Sequence, residues 1–132
     1  MDIKFFDNRD DAPKNREDVR ILRGRIEVAP EGRRVAVDLE LTPFIERPTI
    51  ELRLTNDRGE PAGLSNVIET LDRTLRMVMH MRDKTPAENY RLQARVYYAH
   101  IDEDMKREMV DELIIDFAAD GGNEKYWEKP AE

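Results

Sequence analysis

The feature that most constrains this chain is an alternation of apolar and polar residues with a period of two. It recurs four times over its central hundred residues. Val35, Val37, Leu39 and Leu41 alternate with Arg34, Ala36, Asp38 and Glu40, and Ile50, Leu52 and Leu54 alternate with Glu51, Arg53 and Thr55. Leu75, Met77, Met79 and Met81 stand against Arg76, Val78, His80 and Arg82. Tyr90, Leu92, Ala94, Val96 and Tyr98 stand against Arg91, Gln93, Arg95 and Tyr97. Side chains two apart share one face of a pleated strand, whereas a helix brings residues three and four apart together, so this rhythm predicts half-buried strands.

Three weaker segments extend the count. Val19 to Val28 carries Ile21, Leu22, Ile26 and Val28, with Gly24 where a bulge or bend is expected. Pro61 to Glu69 begins with proline, as an edge strand can. In 105–118, Met105, Met109 and Leu113 recur at helical spacing, but Ile114, Ile115 and Phe117 prefer a pleated surface, which favours a strand over 110–118. Turn residues separate these runs: Ala29-Pro30-Glu31-Gly32, Pro43 and Pro48, Asn56 to Glu60, and Asp83 to Asn89. Strands without interleaved helices predict an all-β, antiparallel two-layer sandwich of about seven strands over 19–118. A mobile arm over 1–18, with Ile3 to Phe6 as an anchor, and a tail over 119–132, docking through Tyr126 and Trp127, complete the expected organisation.

Pro86-Ala87-Glu88-Asn89-Tyr90-Arg91-Leu92-Gln93-Ala94 resembles the lead-in to the penultimate strand of immunoglobulin-like and fibronectin-type-III-like domains, where a tyrosine at the corner precedes an alternating run. The resemblance covers roughly 19–118. It implies architecture, and it implies that the second strand lies beside the Met77 strand and the third beside the Tyr90 strand. It carries no function, because that architecture hosts many.

Chemistry is constrained mainly by what is missing. With no cysteine in 132 residues, zinc ribbons, thiol redox motifs, cysteine nucleophiles and disulfide frameworks are excluded. The single serine, Ser65, lacks the glycine two positions later that a nucleophile elbow uses. His80 sits among Arg76, Val78 and Arg82 and reads as a surface residue. His100 could join Asp102 or Asp104, but this is too small a set for a committed zinc site. The acidic stretches Asp7 to Asp11 and Asp102 to Asp104 lack the framework of a calcium loop. Paired-carboxylate chemistry cannot be located without a cleft, and no phosphate-binding glycine loop can be written. The chain is therefore expected to be non-catalytic, with neither metal nor cofactor. Met77, Met79 and Met81 could line an adaptable groove, but their shared face with Leu75 favours core packing.

Partners follow from charge and surface pattern. A net charge of −7 opposes phosphate backbones at long range, and no apolar run is long enough to cross a bilayer, so neither nucleic acid nor membrane is expected. The acidic start, without a cationic and apolar leader, predicts a cytoplasmic protein. Sixteen of the 22 basic residues are arginine, many on outward strand positions where they can face acids across the ladder. The leading expectation is a protein-interaction module, holding a partner or its own copy through outward residues such as Val78, Arg91, Arg95, Tyr97 and Ile114. The alternatives are an anion or small-ligand binder using Arg91, Arg95 and Tyr97 with His100, and a structural subunit assembled through edge strands.

Overall fold

The structure is a computed structural model that describes residues 12–99 and 107–130. Ile3 to Phe6, Asp7 to Asp11, His100, Asp102 and Asp104 lie outside the described residues.

The alternating runs form strands whose apolar sides meet. They are β1 (Ile21–Val28), β2 (Arg34–Leu41), β3 (Thr49–Asn56), β4 (Pro61–Val67), β5 (Thr74–His80), β6 (Asn89–Ala99), β7 (Arg107–Ala118) and β8 (Glu124–Glu128). Two four-stranded sheets result, in the orders β5-β2-β1-β8 and β4-β3-β6-β7. Every pairing is antiparallel. The second strand pairs with the Met77 strand and the third with the Tyr90 strand, as the resemblance implies.

Val35, Val37, Leu39 and Leu41 of one sheet and Ile50, Leu52 and Leu54 of the other lie between the layers, each at most 1% exposed. Full burial of such a side chain contributes about 1.5–3 kcal/mol, so this shared interior drives folding. The methionine face points inward too, with Met79 and Met81 buried and Leu75 and Met77 half-covered where β5 and β4 form the open flank.

Two irregularities set which side chains look outward. In β1 the register shifts between Ile21 and Arg23, so the bulge falls at Leu22 and not at Gly24. Gly24 has a different task. A Cβ there would lie 2.7 Å from Cδ2 of Leu113, so glycine lets β7 approach β1 across the core. In β7 the register shifts at Val110, which turns Met109 outward while Leu113 stays in the core. The helical spacing of Met109 and Leu113 therefore corresponds to no shared face, and the segment is a strand beginning at Arg107.

Among the described residues there are eight strands, because residues 124–128, read from the sequence as tail, pair with the free edge of β1. Gly121 and Gly122 precede this segment as residues that interrupt helix and strand. They form a turn: Gly122 has φ +82°, its N–H donates to the Val28 carbonyl at 2.9 Å, and Val28 N–H donates back to Asn123 at 2.8 Å. Glycine supplies the left-handed conformation without steric cost, and the chain reverses onto β1. At the other end, Lys14 N–H donates to Pro43 (3.0 Å) and Ile45 N–H donates to Lys14 (3.1 Å), which fixes the described part of 1–18 against the β2–β3 crossing.

The corner before β6 is held by Tyr90. Its hydroxyl accepts from Ala87 N–H at 3.0 Å and donates to Asp83 at 2.9 Å. Asp83 also accepts from Nδ2 of Asn56 (3.1 Å) and from Arg33 (3.3 Å). Burial pushes the Asp83 carboxyl up, but the bonds from Asn56 and Tyr90, its own backbone and the Arg33 charge outweigh it, and the group stays below the usual aspartate value.

Candidate functional site

The outward side of the β4-β3-β6-β7 sheet collects four of the residues singled out from the sequence. Arg91, Arg95 and Tyr97 share one face of β6 with Gln93, and Ile114 of β7 stands beside Gln93. Both arginines are occupied. Arg91 is clamped by Asp116 at 2.7 and 3.1 Å, and the bond lowers the Asp116 carboxyl. Arg95 donates to Glu112 at 2.6 Å and lies 3.8 Å from Glu51. Glu51 is a charged residue on an outward position with only 6% of its side chain exposed, because Arg53 (2.9 Å), Arg95 and Arg107 (3.6 Å) close over it. Both guanidinium charges are offset by carboxylates of the same sheet, so this ladder is a paired surface.

Val78 is not part of that face. It lies opposite Ala36 on the outer side of the other sheet, 55% exposed. That side is a ladder of charges. Arg76 and Arg25 share Asp38 (2.8 and 3.1 Å), Arg25 also reaches Glu124 (2.8 Å), and Arg23 joins Glu40 and Glu128. Tyr126 and Trp127 occupy the two sides of β8. Tyr126 is outward, and its hydroxyl accepts from Arg25 Nε at 3.3 Å and donates to Glu124 at 2.9 Å, while Trp127 packs against the core. Those bonds, Tyr126 first and then Asp38 and Glu124, hold the Arg25 guanidinium above its ordinary pKa.

One end of the β4-β3-β6-β7 sheet carries a cleft of about 640 Å³. The β2–β3 crossing supplies Ile45 and Arg47, the end of β4 supplies Ile68, and β6 and β7 supply Tyr97, Tyr98 and Arg107. The tyrosines form its rigid wall. Tyr98 donates to the Glu46 carbonyl at 2.8 Å, and burial first, then the nearby Glu46 charge, pushes its hydroxyl up to about 12. The Arg16 guanidinium lies 5.0 Å above the Tyr98 ring, donates to the Ala99 carbonyl at 3.1 Å and pairs with Glu46. The Glu46 carboxyl is lowered, chiefly by its bond to Arg16. Arg107 lies 3.9 Å over the Tyr97 ring, close enough for a cation–π contact.

The lips are apolar and open, with Ile45 64% and Ile68 74% exposed. Arg47 is exposed and has no ion-pair or hydrogen-bond partner among the described residues. Of the residues lining this cleft, the sequence reading singled out only Tyr97 as a candidate site residue. Arg47 and Ile45 lie in an irregular crossing between Pro43 and Pro48, where periodicity carries no signal, and Arg107 precedes the 110–118 run expected to be a strand.

Among the described residues no group of three or more His, Asp or Glu is arranged to hold a metal ion, and no helix is long and apolar enough to cross a membrane. His80 is exposed on β5, and Ser65 faces Leu52 across the β3–β4 ladder.

No family model and no curated protein matches the chain. Among solved structures it is similar to a glycosyl hydrolase family 2 member from Bacteroides cellulosilyticus, with a TM-score of 0.50 and 10% identity over 76% of this chain. The chain corresponds to only 15% of that protein's length. At this identity the likeness shows a β-sandwich fold and does not carry the hydrolase activity across.

Proposed function

We propose that the protein is a non-catalytic interaction module that holds a protein surface, a partner's or a second copy's, against the β4-β3-β6-β7 side of its sandwich. The observation that supports this reading is the distribution of exposed apolar side chains. Ile45, Leu64, Ile68, Met109 and Ile114, each 45% exposed or more, lie on that side, and the opposite sheet face is laddered with ion pairs around Val78 and Tyr126. Exposed apolar side chains gathered on one side, next to polar residues, are a feature of protein contact surfaces. Leu64, Arg53, Gln93 and Ile114 form one transverse row of the sheet, so the two apolar edges stand about 14 Å apart at the usual strand spacing, within one small interface.

Sedimentation of the full chain over a wide concentration range, with affinity capture from its host, tests the reading. Association or a retained partner should be lost in the Leu64→Asp/Ile114→Asp double variant and kept in Val78→Asp on the other face. A strict monomer that retains no partner, or equal loss in Val78→Asp, overturns it.

A further inference from the structure

The end cleft carries a separate inference, which does not depend on the interaction reading. Most arginines among the described residues are tied to a carboxylate, Arg91 and Arg95 included. Against that pattern Arg47 stands in a cleft wall with no partner among the described residues. Arg107 faces the same space with its guanidinium carbon 3.9 Å from the Tyr97 ring centroid. A guanidinium carries five N–H donors, so a ring contact and a shared carboxylate leave others to donate.

The charge balance sets the size of the anion. Arg16 is offset by Glu46, and Arg107 shares Glu51 with Arg53 and Arg95. Glu69 lines the same cleft as a further negative charge. The balance suits one negative charge better than two. The walls set the remainder: Ile45 and Ile68 are exposed at the mouth and the tyrosine rings lie behind, surfaces that gain nothing from a small hydrated ion but are desolvated favourably by an apolar body.

From these features we infer that the cleft is a binding site for a small organic monocarboxylate with an aliphatic or aromatic body. The carboxylate is held by Arg47, with Arg107 behind it, and the body lies between Ile45 and Ile68 against Tyr97.

Hexanoate is the probe, titrated into the full-length protein while backbone amide shifts are followed by nuclear magnetic resonance. Hexanol, acetate and inorganic phosphate are the controls. The expected result is saturable, millimolar binding whose shifts cluster at 45–47, 66–69 and 97–99. Hexanoate affinity should fall about tenfold in Arg47→Gln, the loss of one charge-assisted bidentate contact. It should be unchanged in Arg91→Gln, whose partner is Asp116 outside the cleft. Arg47 is exposed with no partner among the described residues, so its variant should melt with the wild type, and a normal melting curve shows that any loss is local. Absence of saturation by about 20 mM, a range that still detects weak ligands, overturns the inference, as does equal affinity in Arg47→Gln. Hexanol binding as well as hexanoate would remove the role of the charge, and acetate or phosphate binding as well would remove the role of the apolar walls. Either result overturns the assignment.

Discussion

Replacing Asp83 tests how this fold secures its corner. The carboxylate is only 2% exposed and takes bonds from Tyr90, Asn56 and Arg33 within 3.3 Å, with Arg58 at 3.9 Å. Asp83→Ala leaves the buried Tyr90 hydroxyl and one N–H of the Asn56 amide, whose other N–H still donates to Glu60, without an acceptor, together with a cation that is one-third exposed. Each orphaned bond to a charged acceptor is worth about 1.5–3 kcal/mol, discounted for Arg33, which water can reach. A loss of about 3–5 kcal/mol follows, in the range for breaking a buried charge pair. At about 3–5 °C per kcal/mol for a domain of this size, the melting temperature should fall by roughly 10–20 °C. Tyr90→Phe removes one donor to Asp83 and the acceptor for Ala87 N–H, so about 1.5–3 kcal/mol is expected. The double variant should lose clearly less than the sum, because the two residues share a bond.

The same group makes a signed statement about pH. The folded state holds Asp83 below its usual value, and the unfolded chain returns it to about 3.9. Its contribution is therefore complete above the unfolded value and is lost as pH falls through the lower folded one. Urea unfolding of wild type and Asp83→Asn should show a constant gap from neutral pH to about pH 5 that narrows below pH 4. An Asp83→Ala variant within about 1 kcal/mol of wild type, or a gap that widens in acid, would refute the argument that this carboxylate is the buried acceptor of the corner.

Two further outcomes follow. Trp127 is the sole tryptophan and packs from β8 onto the core, so Trp127→Ala should cost about 2 kcal/mol, less than a fully buried tryptophan, while wild-type tryptophan emission tracks β8 release in urea. Gly121→Ala places a Cβ 2.3 Å from the Pro30 carbonyl oxygen and should cost about 2–4 kcal/mol by thermal melting. Gly59→Ala, at φ +81° with open space around it, should cost only the left-handed conformation, about 1 kcal/mol.

The fold was legible wherever one face of a strand is buried and the other wet, because burial imposes the two-residue rhythm directly. Val35 to Leu41 and Tyr90 to Tyr98 show it without interruption, and both runs lie where the alternation places them. The reading weakened where a bulge shifts the phase. At Val110 one extra residue puts Met109 and Leu113 on opposite sides, which in one dimension mimics helical spacing. It weakened again at β8, whose residues are mostly charged because the strand covers an edge and only Trp127 turns inward. The cleft was least legible. Its residues come from a crossing loop and the ends of three strands, and their proximity is a product of topology that no local pattern encodes.

The two sheets use arginine to different ends. On the β5-β2-β1-β8 face, Arg23, Arg25 and Arg76 interleave with Asp38, Glu40 and Glu124, so a strand slipped by one residue would remove these pairs and turn the apolar side chains to water. The pairing thus reinforces register while leaving little net charge to attract a ligand. On the other sheet the same device buries Glu51 under three arginines and stops at the end of the ladder, where β3 begins after Pro48. Arg47 falls just beyond that limit. A surface that neutralises its cations by cross-strand pairing can leave one uncommitted only where the strands end, and here the end of the sheet is also where Ile45, Ile68 and the two tyrosines form a cleft.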